Sequence, residues 1–224
     1  MNTAEGQAAT LTGTLWEAAC FAGGLSTGTH RHFPGALDPA WLAALPLPSQ
    51  AQLPPGQPVA LIDGTHREFE RHIQTATLRA ACEHRPRTRV YEDIGCSDDG
   101  WAGLATSHLT RLSGSALRVL CSVYESRHGD QTFRAHRDTW FGAVIQVSGA
   151  KDWQIGEGLL DAAGPPPTAV TMAAGDVLLI PKSLPHLVTT PADPGWSVHL
   201  AFALDRDPPP VRNALPSPLM HPPR

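Results

Sequence analysis

From Ala116 onward the chain is cut into short apolar runs, each ended by a turn cluster, and this pattern restricts its fold more than any other feature. The runs are Leu117–Tyr124, Trp140–Val147, Asp152–Ile155, Ala169–Met172, Val177–Ile180, Leu187–Thr190 and Val198–Leu204. Between them stand Ser126–Asp130, Ser148–Ala150, Gly164–Pro167, Ala174–Asp176 and Pro191–Gly195, rich in residues that reverse a backbone. So many short runs over 116–204 predict the strands of an antiparallel sandwich or barrel.

The first half has another period. Apolar residues recur at helical spacing in Leu15–Phe21, Pro39–Leu45 and Glu68–Cys82, where Phe69, Ile73, Thr77, Leu78 and Ala81 share a face. The proline-rich stretch Leu45–Pro58 separates these segments, and Val59–Ile62 reads as an early strand. Residues 1–115 are therefore expected to form a mostly helical region packed on the barrel. The tail 205–224, with Pro208–Pro210 and further prolines, is expected to be disordered.

A chain of 224 residues with 42% hydrophobic content supports one substantial core. Seventeen basic against 21 acidic residues leave a net charge of -4, which gives nucleic acid no electrostatic hold. Cys20, Cys82, Cys96 and Cys121 follow no metal or disulfide spacing, and the N-terminus shows no basic-then-apolar leader, so a cytoplasmic protein with reduced thiols is expected. No apolar stretch approaches the ~18 residues of a membrane span.

The chemistry concentrates in two places. In TFRAHRDTW (Thr132–Trp140) an extended backbone would turn His136 and Asp138 to one side. An isolated His-x-Asp is weak evidence, and a hydrogen-bonded loop pair is its ordinary alternative. The second place is GDVLLIPKSLPH, where a Gly-Asp turn feeds a strand, then a proline turn, then His186. Gly175, Pro181 and His186 resemble the second motif of the cupin superfamily, with Ser183 standing where a glycine is expected. The first motif of most non-oxygenase cupins places a glutamate shortly after its histidines, whereas Thr139–Ala143 contains none. Two imidazoles and one carboxylate leave three adjacent coordination positions, which suits iron(II), a bidentate 2-oxo acid and dioxygen. Lys151 stands in a largely apolar run, where a fixed cation could pair with the far carboxylate of 2-oxoglutarate; most lysines are simply solvated.

Together these pieces become specific. Ser122–Ile155 resembles the core of the JmjC-domain oxygenases, in particular the ribosomal-oxygenase branch, through His136-x-Asp138, Gln146, Gly149, Lys151 and Trp153. The resemblance implies a mainly β fold with a helical N-terminal part, a double-stranded β-helix (jelly-roll, cupin, JmjC type). It implies an iron(II)- and 2-oxoglutarate-dependent dioxygenase that uses O2 to hydroxylate an amino-acid side chain in a peptide, protein or peptide natural product. It places the metal on His136, Asp138 and His186, and the co-substrate on Lys151, Ser122, Tyr124 and Ser197. Trp140, Arg134 and Arg137 are the candidates for contacting substrate. Two alternatives stay open, a non-redox metal-binding cupin and a catalytically silent JmjC-like module. The oligomeric state stays open between monomer and homodimer.

Other residues have plainer readings. His30 and His32 precede Phe33-Pro34-Gly35 and are expected in a surface loop. His66 and His72, six apart, do not share a helix face and are expected to be solvated. Trp153 and Trp196 read as core or rim residues.

Overall fold

The computed structural model describes residues 3–25, 28–49, 53–62, 70–72, 74–84, 86–96 and 100–205. The tail expected to be disordered, together with His66 and Phe69, lies outside the described residues, apart from Asp205.

Helix α1 (Ala4–Phe21) opens with the Thr3 hydroxyl accepting from the Gly6 amide, and α4 (Trp101–Ser113) closes on Gly114 in the left-handed conformation, φ 65°. Between them lie β1 (Arg31–Phe33), α2 (Pro39–Ala43), β2 (Val59–Leu61), β3 (Glu70–His72), α3 (Thr75–His84) and β4 (Arg89–Tyr91). After α4 come β5 (Leu120–Arg127), β6 (Phe141–Ile155), β7 (Thr168–Ala173), β8 (Val177–Ile180), β9 (His186–Thr189) and β10 (Trp196–Leu204).

All strand pairs are antiparallel, in the order β1-β8-β6-β10-β5-β4-β2-β3, with β7 and β9 pairing the far half of β6. Besides β2, expected at Val59–Ile62, the first half thus adds three short strands to the helices read from its periodicity, and one of them, β3, replaces helix at the start of the stretch Glu68–Cys82. Their three-residue length leaves too little alternation to register in the sequence. Helix α4 carries Ala102, Ala105, Thr106 and Leu109 as its buried side, and its many small residues mask the apolar stripe.

A turn is expected at Ser148–Ala150, yet β6 runs through it as one strand. Gly149 takes φ +69° there, next to a bulge of β6 in which Val147 is the extra residue, Ser148 pairing Val198 and Gln146 pairing His199 of β10. A Cβ at Gly149 would stand 2.1 Å from the Trp196 carbonyl oxygen, so only glycine lets the two strands meet. The bend lets residues 142–145 pair with β8 and residues 150–155 with β7 and β9, which joins the two sheets of the jelly roll.

Alternation along the strands then sorts side chains to two sides. Cys121 and Val123 of β5, Phe141, Ala143 and Ile145 of β6, and Leu200 and Leu204 of β10 enter the main core with Leu11 and Leu15 of α1 and Leu109 of α4. Each fully buried large side chain stabilises the fold by roughly 1.5–3 kcal/mol. The intervening residues Ser122, Tyr124, Gly142, Val144, His199 and Ala201 line a cavity instead. Among the described residues no helix is long and apolar enough to cross a membrane.

Candidate metal centre and its cavity

His136 and His186 face each other across an isolated antiparallel bridge, in which the His136 amide donates to the His186 carbonyl (3.0 Å) and the His186 amide to the His136 carbonyl (2.9 Å). Their rings lie 4.2 Å apart. The turn after β8 fixes the third member, since the Ser183 amide donates to the Asp138 carbonyl at 2.9 Å. Ser183 itself has φ +64°, the conformation for which glycine is the ordinary choice at that place in the motif.

Each ring is also oriented from behind. His136 Nδ1 lies 2.8 Å from the Arg134 carbonyl and His186 Nδ1 3.1 Å from the Leu184 carbonyl. A carbonyl only accepts, so in each pair the proton sits on Nδ1 and the Nε2 lone pair is left for a ligand bond. His136 Nε2 is 3.8 Å from one Asp138 oxygen and His186 Nε2 3.5 Å from the other, and all the ligand atoms lie within 4.8 Å of one another. Two neutral imidazoles and a carboxylate gathered so closely fit a divalent first-row metal. Thr132–Trp140 forms no continuous strand: His136 makes an isolated bridge within it, and the next strand, β6, begins at Phe141. The bridge to His186, rather than strand alternation, brings the ligands together.

Lys151 is 2% exposed. Its ammonium donates to Ser126 Oγ (2.7 Å) and Thr190 Oγ1 (2.9 Å), and those two hydroxyls bond each other at 2.7 Å. Among the described residues no carboxylate lies within ion-pairing distance of it. Burial pushes its pKa down to about 8, against the weaker upward pull of the Asp130 and Asp152 charges. The ammonium thus stands on the wall of a cavity of about 550 Å3 with two neutral hydroxyls as its partners, an arrangement chemically suited to an anion.

The same cavity is lined by the metal cluster, Ser122, Tyr124 and Trp140. Ser122 Oγ accepts from the Asp93 amide at 3.2 Å. Tyr124 stacks on His199 with centroids 4.8 Å apart and planes 6° from parallel. Burial first, then the Asp138 and Glu92 charges, raise the Tyr124 hydroxyl pKa, so it remains a proton donor. Ser197 is fully buried and accepts from Gln146 Nε2 at 2.9 Å; it does not reach the cavity lining. Arg134 is exposed and serves the site through its carbonyl. Arg137 is committed to Glu157 (2.6 and 3.2 Å) and to the Ser183 carbonyl (2.8 Å), which ties down the segment between two ligands.

His32 is not in a loop. It lies in β1, with Nε2 2.9 Å from Asp176, whose carboxylate also accepts from the Gly35 and Ala173 amides and so anchors the Gly175-Asp176 turn. Trp153, expected at core or rim, packs against both His186 (5.8 Å) and His199 (6.1 Å) and lines the cavity. Burial and the Lys151 charge lower the His199 pKa and keep that ring neutral. Ser126 and Thr190 belong to no motif, but Ser126 continues the inward period of Ser122 and Tyr124, and Thr190 that of His186 and Val188.

Residues 104–208 match the family model of the JmjC domain. Among solved structures the chain is similar to the ribosomal oxygenase YcfD of Escherichia coli in complex with cobalt and succinic acid, at 15% identity and TM-score 0.54 over 81% of this chain and 49% of that one. It is also similar to YcfD in complex with cobalt and 2-oxoglutarate, at 14% identity and TM-score 0.50 over 88% and 57%. The X-ray structure of E. coli ycfD gives 16% identity and TM-score 0.53 over 93% and 61%. The chain therefore spans about half the length of the structures it matches, and at such identities the likeness is one of fold. No curated protein matches it.

Proposed function

With residues 104–208 taken as a JmjC-type domain of the cupin class, we propose that the protein is an iron(II)- and 2-oxoglutarate-dependent dioxygenase that hydroxylates a side chain of a peptide, protein or peptide natural product. The observation that carries this reading is the placing of three convergent ligands and one buried, carboxylate-free ammonium on the wall of a single cavity.

His136, Asp138 and His186 would hold iron(II). When bound, iron(II) with 2-oxoglutarate supplies the activation of dioxygen that yields succinate, carbon dioxide and an oxygen atom for a C–H bond. The residues of the chain do the rest. The Arg134 and Leu184 carbonyls keep both ligand imidazoles in one tautomer. Lys151 grips the far carboxylate of the co-substrate, and that anion restores the proton affinity which burial lowers. Ser122 and Tyr124 form the wall beside it, Tyr124 as a hydrogen-bond donor. Ser197 acts at one remove, by holding Gln146. Trp140 and the apolar wall exclude water from the reacting centre.

The test is succinate formation from 2-oxoglutarate with iron(II) and dioxygen, repeated with Asp138→Ala. Succinate from the wild type alone is the expected result. Tight metal binding without succinate would leave a non-redox cupin. Lack of any iron(II)–2-oxoglutarate charge-transfer band under anaerobic conditions would leave a silent module.

A further inference from the structure

The cavity extends beyond the metal cluster and Lys151, and the composition of that further part points to what it admits. The strand register sets side chains across β6, β10 and β5 in rows. Gln146, His199 and Tyr124 form one row, Val144, Ala201 and Ser122 the next, and Gly142, Ala203 and Leu120 the last. Polarity therefore falls along the floor, from an imidazole and a phenol to a glycine, an alanine and a leucine. Ile62, Val90, Phe133 and Trp140 close the space around that apolar end.

Charged groups do reach this part, but each is already neutralised. The Glu92 carboxylate is held from both sides by the Arg71 guanidinium, at 2.8 and 3.0 Å. Asp93 is ion-paired with Arg118. Arg137 is held by Glu157 at 2.6 Å. Asp93 Oδ1 is buried without a hydrogen-bond partner, so it offers an acceptor for one neutral donor such as a peptide N–H, while Arg118 has already balanced its charge. A cationic side chain entering here would give up its water and find no counter-charge, with the Lys151 ammonium on the same cavity wall. An aliphatic or aromatic side chain would meet only favourable surface.

We propose that the group oxidised is an uncharged, predominantly apolar side chain, aliphatic or aromatic, on a peptide backbone. This rests on the oxygenase reading of the site and adds its substrate class.

Binding can be read apart from turnover. The probes are four blocked pentapeptides of the form Gly-Gly-X-Gly-Gly with X = Leu, Phe, Arg or Lys, titrated by NMR into the full chain with diamagnetic zinc(II) in place of iron(II) and with 2-oxoglutarate present. The Leu and Phe peptides should bind at least about tenfold tighter than the Arg and Lys peptides. In Arg71→Met, which frees the exposed-side Glu92 carboxylate, the Lys peptide should gain at least about fivefold and the Leu peptide should not change. Equal affinity, preference for a cation, absence of measurable binding by all four, or no gain for Lys in Arg71→Met would each overturn the proposal. Succinate formation is measured separately. Its absence beside an intact apolar preference sinks the oxygenase reading alone, and its presence beside a cationic preference sinks the substrate class alone.

Discussion

Replacing Lys151 by methionine should make the protein more stable and disable co-substrate binding. Burial takes the Lys151 pKa from 10.5 to about 8. About 2.5 pH units at about 1.4 kcal/mol each make the charged side chain a burden of about 3 kcal/mol on the fold at neutral pH. Methionine matches the stem in volume, and Ser126 and Thr190 keep their hydrogen bond to each other, so most of that burden should be relieved. The gain should be about 2–3 kcal/mol, read as a rise in the urea midpoint of the metal-free protein at pH 7. The sign of the pH dependence follows. The folded pKa lies below the unfolded one, so between about pH 8 and 10.5 the unfolded chain binds the extra proton, and wild-type stability climbs through that window relative to Lys151→Met. Anaerobic titration with 2-oxoglutarate should show affinity weakened about 100-fold or more, because a buried carboxylate would lose its only cation. A variant less stable than wild type, or one that binds 2-oxoglutarate as before, would refute this account of the ammonium.

Three further substitutions probe the supports of the site. Ser183→Gly should stabilise the fold by about 0.5–1 kcal/mol, since a side chain at φ +64° is strained; thermal unfolding reads it, and metal affinity should not move. Gly149→Ala should cost about 3 kcal/mol or more, with its Cβ 2.1 Å from the Trp196 carbonyl, and denaturant titration should show a lower midpoint. Arg137→Met breaks an exposed ion pair, so stability should change by less than about 1 kcal/mol. The segment bearing His136 and Asp138 loses its tie to the Ser183 carbonyl, so iron(II) affinity measured against a chelator should fall about tenfold.

What was legible in the chain divides by the range of the interaction that determines it. The strands after residue 116 were legible because each is an apolar run ended by turn residues, and His136, Asp138 and His186 because their residue types and spacing survive without knowledge of the contacts. Of the short strands before residue 92, β2 was legible as the apolar run Val59–Ile62, whereas β1, β3 and β4 were not, since three residues carry no period. The continuity of β6 was hidden for a related reason. Ser148-Gly149-Ala150 has the composition of a turn, and only the pairing with β10, nearly fifty residues later in sequence, makes it a bend within a strand that bulges at Val147. Ser197 belongs to the matching strand, yet its own position in the alternation sends it to Gln146 rather than to the cavity.

The charge pattern around the cavity follows the same division and leads one step further. Lys151 was legible as unusual because its neighbours in sequence are apolar. Arg71 with Glu92, Arg118 with Asp93 and Arg137 with Glu157 are separated by 21, 25 and 20 residues, and nothing local marks any of them as a pair. Counted in sequence, Glu92 and Asp93 make an acidic mouth suited to a cation; paired in the fold, they do not. Among the described residues the Lys151 ammonium, left without an acid, acts on His199 at the polar end of the floor, and the neutralised Asp93 lies beside Ser122, one row nearer the apolar end. Since β5, β6 and β10 each contribute alternate residues to every row of that floor, the same three strands that set Tyr124 and His199 at one end also set the small apolar surface at Gly142 and Ala203. A single alternation thus divides one cavity into a polar end and an apolar end, as the proposed co-substrate and neutral side chain require.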